Sequence, residues 1–234
     1  MKNFILSIKS VNIFIWGYIF YLMIGLLTML FFTKENLHLF INHQHNFLCD
    51  YFFKYITFLG DGITAAIISI LLIMISVRFF LVFGLTNILA GFFSQILKRY
   101  IFPHALRPKA YFQNLVPLYF VPGVEIFSFN SFPSGHSATA FLISIFFASL
   151  SQKKSWQIGM LICAVLISLS RVYLSQHFFE DTIAGSIIGV VFGLTAIILS
   201  KSYECIGLSE IIFKRVNYLL SKVKRLLFGI KNSA

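Results

Sequence analysis

Long apolar runs separated by short polar stretches fill the chain from residue 11 to residue 200. A helix needs about 20 mostly apolar residues to cross the hydrocarbon core of a bilayer, and most of these runs are close to that length. The pattern predicts six transmembrane helices, at residues 11–32, 58–77, 79–97, 136–150, 156–174 and 182–200. The fourth run is short, so we expect its helix to extend to about residue 151 or beyond.

The composition agrees with this pattern. Of the 234 residues, 58% are hydrophobic and only 12% are charged, whereas soluble domains carry about a quarter charged residues. Too few charges remain to cover a water-exposed surface. We therefore predict an all-α, polytopic membrane protein in which residues 1–205 form one six-helix domain, with no room for a separate soluble domain.

The distribution of Lys and Arg predicts the orientation. If the N-terminus is cytoplasmic, 12 of the 19 basic residues lie on the cytoplasmic side and 7 on the outer side, as the positive-inside rule requires. The formal net charge of +11 then reflects orientation and contact with anionic lipid headgroups. We expect the bilayer to be the partner of these charges, and no nucleic acid.

The chain after the sixth run has a different pattern. In residues 206–234, apolar residues recur at three- and four-residue spacing with Lys and Arg between them. Such a pattern is typical of a basic amphipathic helix on a membrane surface. We predict a cytoplasmic amphipathic tail; a helix that binds a partner protein is the alternative.

Three polar clusters flank the predicted helices, and polar groups near a bilayer are usually functional. Lys98 and Arg107 follow the third predicted helix, residues 132–137 open the fourth, and residues 170–181 join the fifth to the sixth. In a six-helix topology all three clusters lie on one membrane face, which is the outer face in the favoured orientation. They can therefore form one site.

The residue types in these clusters suit a phosphate group. Lys98, Arg107 and Arg171 gather positive charge where few carboxylates are present, and guanidinium groups match phosphate oxygens in bidentate fashion. Pro133 favours the first turn of a helix, so the backbone N–H groups of residues 134–136 would point at an anion. The sequence thus predicts a phosphate-binding cradle.

Two histidines supply the reactive groups. His177 and Asp181 are four residues apart, so on a helix they share a face and can touch. A carboxylate bonded to one ring nitrogen fixes the tautomer and leaves the other nitrogen free as a nucleophile. His136 can protonate a departing alkoxide as a general acid and later activate water.

These residues match a known family. The sequence Pro-Ser-Gly-His at residues 133–136, and Ser170-Arg171 with His177 and Asp181, resemble two of the three signatures of the type 2 phosphatidic acid phosphatase superfamily. Both spacings fit without adjustment. The six-helix layout is also similar, so the resemblance extends from about the third predicted helix to the sixth.

The first family signature fits more loosely. The family has six residues between its lysine and its Arg-Pro pair, whereas eight separate Lys98 from Arg107. Either Lys98 or Arg99 could take the lysine role. A two-residue bulge around residues 103–104 would reconcile the spacing.

The resemblance implies a membrane lipid phosphatase that needs no metal or other cofactor. It implies a phosphohistidine intermediate on His177 and an acid role for His136, with Asp181 beside the nucleophile. The phosphate-binding residues would be Arg171, Arg107, Lys98, Ser134 and Gly135.

The resemblance also implies a bacterial inner-membrane protein whose site faces the periplasm or the outside. Substrates would be lipid phosphates such as phosphatidylglycerol phosphate, undecaprenyl pyrophosphate, phosphatidic acid or lipid A phosphate, and the residues do not choose among them. Two other classes remain: a lipid-to-lipid phosphotransferase, and a non-enzymatic lipid-binding or transport protein.

The connection at residues 111–132 contains Pro117, Pro122 and Gly123 among aromatic residues. These residues disfavour a regular helix, and aromatic side chains favour the membrane interface. We expect the connection to lie over the site and to guide a lipid headgroup.

A second group of polar residues lies in the predicted first outer loop. His38, His43, His45 and Asp50 resemble a metal-binding set by composition. They have no helical spacing that would bring them together, so we expect no metal site.

Overall fold

The computed structural model describes residues 9–202, together with Tyr218, Ser221 and Lys222. All regular structure in these residues is helical. The nine α-helices of residues 9–202 are α1 (Asn12–Phe31), α2 (Lys34–Asn42), α3 (Phe47–Ile56), α4 (Gly62–Ile73), α5 (Val77–Ile96), α6 (Pro108–Phe112), α7 (Gly135–Ala148), α8 (Lys154–Tyr173) and α9 (Phe179–Ser202). The predicted tail at 206–234 otherwise lies outside the described residues.

The predicted all-α membrane architecture is confirmed. Four helices are long and apolar enough to cross a bilayer, at Asn12–Phe31, Val77–Ile101, Lys154–Tyr173 and Phe179–Ser200. The bent pair Phe47–Gly60 and Gly62–Ile73 adds a fifth span if it crosses as one unit. Because α7 has only 14 residues, the count of six spans stays a prediction.

The fourth predicted helix ends earlier than expected. Helix α7 stops at Ala148 rather than near residue 151. The Ser149 hydroxyl donates to the Phe146 carbonyl at 2.6 Å, which satisfies one of the free carbonyls of the last turn. A turn then leads directly into α8.

The region predicted as the first outer loop is helical. Helices α2 and α3 fill it, and each begins at a side-chain cap: Thr33 accepts from the Asn36 N–H, and Asn46 accepts from the Cys49 N–H. Such caps satisfy N–H groups that lack an intrahelical partner. Helix α3 continues through a 3₁₀ turn, Thr57–Gly60, and meets α4 at an angle of 53°.

Helix α7 lies at the centre of the bundle. Its side chains Phe141, Leu142, Ile145 and Phe146 are fully or almost fully buried, and it packs most extensively against α8 and α9. In contrast, α1 exposes large apolar side chains such as Trp16. A bilayer would cover that outer surface.

Glycines on α9 allow it to approach α7 closely. Gly185, Gly189 and Gly193 recur every fourth residue, on the face that meets α7. A Cβ atom would lie 2.3 Å from the Ser134 carbonyl oxygen at Gly185, and 2.3 Å from the Ala138 carbonyl oxygen at Gly189. Small residues at this spacing are a common device for close helix packing in membranes, and here they hold the start of α7 against the start of α9.

Candidate active site

The structure brings the predicted site residues together at one end of the bundle. This end is formed by the residues after α5, the start of α7, the end of α8 and the start of α9. The Ser134 N–H donates to the Asp181 carbonyl at 2.9 Å, which joins the starts of α7 and α9. The six most buried of the predicted residues are at most 9% exposed: Lys98, Arg107, Ser134, Arg171, His177 and Asp181.

His177 and Asp181 form the predicted pair. The His177 Nδ1 atom lies 3.2 Å from Asp181 Oδ2, and both residues are 2% exposed. The same carboxylate oxygen accepts from the Ser131 hydroxyl and from the Phe178 N–H. With Nδ1–H donating to Asp181, the Nε2 atom of His177 carries the free lone pair.

Contrary to the prediction, His177 and Asp181 do not lie on the same helix. Helix α9 begins at Phe179, so His177 lies in the connection that precedes it. Asp181 reaches back over the first turn and accepts the N–H of Phe178 at 2.9 Å. The contact therefore depends on the helix start, where an acidic side chain is favoured.

Burial lowers the pKa of His177 well below its usual range, and the positive charges of Lys98, Arg107 and Arg171 act in the same direction. An imidazolium loses hydration in a buried position and is repelled by neighbouring cations. His177 is therefore neutral at neutral pH. A neutral imidazole with one fixed tautomer is the form that can act as a nucleophile.

Three cations surround this histidine. Lys98 Nζ donates to the Asn130 carbonyl at 3.0 Å, and Arg107 Nε donates to the Phe129 carbonyl at 2.9 Å. Arg171 Nη1 donates to the Thr57 hydroxyl at 2.8 Å, whereas its Nε has no hydrogen-bond partner among the described residues.

Within the described part of the chain, none of these three cations lies within 4.0 Å of a carboxylate oxygen. Burial also lowers the pKa of Arg107, although an arginine stays charged in proteins. Buried charges without a counter-charge are costly. An anion bound among them would remove that cost.

Of the two candidates for the lysine role, Lys98 is buried beside Arg107 and Arg171, and Arg99 is exposed. A π-helical turn at Leu97–Ile101 follows α5, with the Phe102 N–H donating to the Leu97 carbonyl at 2.8 Å. A π turn accommodates an extra residue in a helix. It accounts for part of the longer spacing to Arg107, and the turn at residues 102–104 follows it.

Ser134 caps the start of α7. Its hydroxyl oxygen accepts from the N–H and from the hydroxyl of Ser137, at 3.3 and 3.0 Å. The side chain is fully buried, so it shapes this helix start. The N–H groups of Gly135 and His136, in the first turn, have no intrahelical acceptor and are the backbone donors available to an anion.

His136 faces a cavity of about 340 Å³ that it lines together with Thr57, Asp61, Arg171 and Gln176. The connection between α6 and α7 supplies the other side of this cavity, through Gly123, Val124, Glu125 and Phe127. As predicted, this connection has no regular helix, apart from the last residues of α6 at 111–112. It lies over the site.

Sequence reasoning missed several residues that hold the site. Gln176 is 1% exposed; its side chain accepts from Arg107 Nη1 at 3.1 Å and donates to the Glu125 carbonyl at 2.7 Å. Its own carbonyl also accepts from Arg107. A polar amide beside His177 in an apolar stretch was the available signal. Thr57 and Ser131 gave no such signal in the sequence, because their contacts are with distant parts of the chain.

Two histidines of the predicted first outer loop, His38 and His45, have structural contacts. Asp50 accepts from His45 Nδ1 at 2.7 Å and from the hydroxyls of Tyr119 and Tyr173, at 2.9 and 2.6 Å. His38 Nε2 lies 3.2 Å from the Ser175 hydroxyl. The Asp50 contacts fasten the connection over the site to the end of α8.

The chain is similar to known proteins in the region of this site. Residues 79–203 match the family model of the PAP2 superfamily. A Lipid A 1-phosphatase from Rhizobium johnstonii is 32% identical over 117 residues, which are 50% of this chain and 46% of that protein. A Lipid A 1-phosphatase from Rhizobium etli is also 32% identical over 117 residues, 50% of this chain and 48% of that protein.

The chain thus spans about half the length of the curated relatives it matches. Among solved structures, the crystal structure of Aquifex aeolicus LpxE is similar, with a TM-score of 0.55 and 27% identity. That match covers 69% of this chain and 92% of the LpxE chain. The family-model match includes every predicted site residue.

Proposed function

Since the chain belongs to the PAP2 superfamily, we propose that it is a membrane lipid phosphatase that acts through a phosphohistidine intermediate on His177. The observation that carries this proposal is the buried, neutral His177 held by Asp181 among three cations that lack a carboxylate partner in the described residues. Such a site offers a nucleophile and a pocket for a phosphate dianion. The substrate would be a lipid phosphate monoester or pyrophosphate.

In the first step, His177 Nε2 attacks the phosphorus atom while the bond from phosphorus to the lipid oxygen breaks. The leaving alkoxide takes a proton from the imidazolium of His136, which gives a lipid alcohol and a neutral His136. The proton on His177 Nδ1 stays with the ring, stabilised by Asp181. The product of this step is a phosphohistidine.

In the second step, neutral His136 takes a proton from a water molecule as the oxygen of that water attacks the phosphorus. The bond between phosphorus and nitrogen breaks, and the electron pair returns to His177 Nε2. Inorganic phosphate leaves, and His136 is again an imidazolium. Both steps balance without a metal ion, so we propose a metal-independent reaction.

The cations provide the electrostatic stabilisation. Charge on the three equatorial oxygens is greatest when the phosphoryl group is in transfer, and fixed donors aimed at these oxygens stabilise that state. Lys98, Arg107 and Arg171 would supply the positive charge, with the N–H groups of Gly135 and His136 as further donors. Because these groups are held by the protein, little reorganisation is needed.

An apolar groove supports a lipid substrate. It encloses about 570 Å³ between α4 and α5, and small residues such as Gly62, Ala66 and Gly91 line it. Gly62 follows Asp61, which lines the polar cavity, and Thr139 of the groove lies one turn after His136. A phosphate in the cavity and an acyl chain in the groove would suit one lipid molecule.

The two Rhizobium proteins are Lipid A 1-phosphatases, so a phosphate of lipid A is the substrate to test first. Phosphatidylglycerol phosphate, undecaprenyl pyrophosphate and phosphatidic acid are the other candidates. We place the protein in a bacterial inner membrane with the site facing the periplasm, because the basic residues favour a cytoplasmic N-terminus.

The test is phosphate release from this panel in detergent, with a chelator present, by the wild type and by His177→Ala. We expect release from at least one lipid by the wild type and none above background by the variant. Release that needs an acceptor lipid would indicate a phosphotransferase. No release from any lipid would favour a binding or transport protein.

A further inference from the structure

Asp61 lies at the bend between α3 and α4, where one of its carboxylate oxygens faces the site. The Asp61 Oδ2 atom is 4.0 Å from His136 Nε2, and the two side chains are 36% and 30% exposed. In the part of the chain that the structure describes, this is the one carboxylate within ion-pair distance of His136. We propose that Asp61 is a positioning residue that holds His136 in its protonated, proton-donating form; this role rests on the proposed phosphatase reaction.

The charges around His136 show why such a residue is needed. Arg171, Lys98 and Arg107 all act electrostatically on its ring, and His177 lies nearby. Positive charges repel an imidazolium. A general acid must nevertheless carry its proton when the alkoxide leaves, and Asp61 supplies the attraction that the cations oppose.

The other oxygen of Asp61 fixes the position of the carboxylate. Asp61 Oδ1 accepts from the Ile63 N–H at 3.1 Å and so caps the start of α4. Gly60, just before it, packs against α7: a Cβ there would lie 2.9 Å from the His136 carbonyl oxygen. The bend between α3 and α4 therefore brings the Asp61 carboxylate to the edge of the cavity that His136 and Arg171 line.

Asp61 also acts electrostatically on Arg171, which offers a rival role as a partner of the phosphate-binding arginine. The two roles have different consequences. In the first step, a loss through His136 matters only when the leaving group needs a proton. A loss through Arg171 weakens phosphate binding for every substrate.

The test is Asp61→Asn, measured on two phosphate esters with the same apolar tail, one an alkyl phosphate and the other a nitro-aryl phosphate. Asparagine is as good an N-cap as aspartate, so α4 keeps its cap while the charge is lost. The rate of the first step is followed as release of the alcohol in a single turnover. We expect this rate to fall roughly 10²-fold for the alkyl ester, the lower range for general acid catalysis. The single-turnover release of nitrophenol from the nitro-aryl ester should change little, because this leaving group departs without a proton.

Three further variants test this role. In this first step His136→Ala should show the same dependence on the leaving group, and the double variant should be no slower than His136→Ala alone, because Asp61 acts through that ring. Glu35→Gln removes another carboxylate from this end of the protein, where Glu35 bonds to Tyr111. It should leave both rates near those of the wild type.

Equal losses with both esters in Asp61→Asn, or a raised KM for both, would overturn this role in favour of Arg171. An unchanged rate with the alkyl ester would also overturn it. If the wild type releases phosphate from neither ester and from no lipid of the panel, the proposed phosphatase function fails, and the role of Asp61 fails with it.

Discussion

Gln176 shows how one side chain connects the binding groups to the cover of the site. It accepts from Arg107 and donates to the Glu125 carbonyl, so it ties Arg107, a proposed phosphate-binding residue, to the connection over the cavity. It also precedes the proposed nucleophile. Its amide therefore fixes three parts of the site relative to one another.

Replacing Gln176 should weaken substrate binding. Gln176→Leu removes both side-chain bonds, and a hydrogen bond to a charged group contributes about 1.5–3 kcal/mol, so we expect KM to rise by roughly 10- to 100-fold. Gln176→Glu loses the donor to Glu125 and gives Arg107 a carboxylate partner that competes with the phosphate, so it should be impaired at least as much. Steady-state kinetics would check this, and equal KM values for both variants and the wild type would contradict it.

His38 is the basis of a prediction about pH. It is 1% exposed, and burial lowers its pKa to about 4, with the charge of His45 acting in the same direction. Because the unfolded chain binds a proton at about 6.5, the stability contributed by neutral His38 is fully present above that pH. It is lost progressively as the pH falls from about 6.5 to about 4.

His38→Gln should therefore flatten the loss of stability between pH 6.5 and pH 4, values set by the shift of His38. The difference amounts to at most about 3 kcal/mol and can be followed by thermal unfolding in detergent at several pH values. His43→Gln, which removes an exposed histidine nearby, controls for the loss of a histidine as such. Parallel pH curves for wild type and His38→Gln would contradict the prediction.

Among the helix contacts, the one between α7 and α9 leaves the least room for a side chain. At Gly189 a Cβ would lie 2.3 Å from the Ala138 carbonyl oxygen and 2.8 Å from Phe141 Cβ. Backbone and core atoms cannot move away without shifting α7. The glycine stripe therefore sets the distance between the two helices that carry Ser134 and Asp181.

Gly189→Ala should destabilise the protein by about 1–3 kcal/mol through overpacking and should lower activity, because the starts of α7 and α9 would separate. Gly159→Ala is the matched control: that glycine is also helical, and nothing lies within 4 Å of its Cβ position. It should be neutral or stabilising, since alanine is the better helix former. Thermal unfolding of both variants checks this, and equal melting temperatures would contradict it.

Composition and spacing made much of this architecture predictable, because a bilayer-spanning helix can be recognised from the apolar run of its own local sequence. The clustering of Lys98, Arg107, Arg171 and the two histidines also followed from topology, since helix ends on one face lie together. Other features depend on contacts between distant segments. The π turn before Arg107, the bend at Asp61 and the contacts of Thr57 and Ser131 have no local signature.

In the molecule as a whole, a charged, buried site lies directly beside lipid-facing surfaces. Neighbouring residues line the polar cavity and the apolar groove: Asp61 lines the cavity and Gly62 lines the groove. A substrate with a phosphate and long chains could occupy both without leaving the bilayer. Selectivity for lipids over soluble phosphates should therefore depend on the groove.

Gly91→Leu tests this by filling the groove. Nothing lies within 4 Å of a Cβ at Gly91, so the larger side chain should be tolerated. We expect KM for a long-chain lipid phosphate to rise about tenfold, which corresponds to the loss of contact with one or two methylene groups. A short-chain phosphate should be unaffected, and Gly159→Leu should change neither. Equal effects on both substrates would contradict a role for the groove.

The covalent intermediate is the most direct test of the proposed chemistry. We would incubate the protein with lipid carrying a labelled phosphate, quench it in alkaline denaturant, and map the label by mass spectrometry. His136→Ala with a nitro-aryl phosphate should accumulate the intermediate, because water activation is lost while the first step needs no acid. We expect the label on His177 and none in a variant that also carries His177→Ala. Label on another residue, or full hydrolysis by His177→Ala, would contradict the phosphohistidine mechanism.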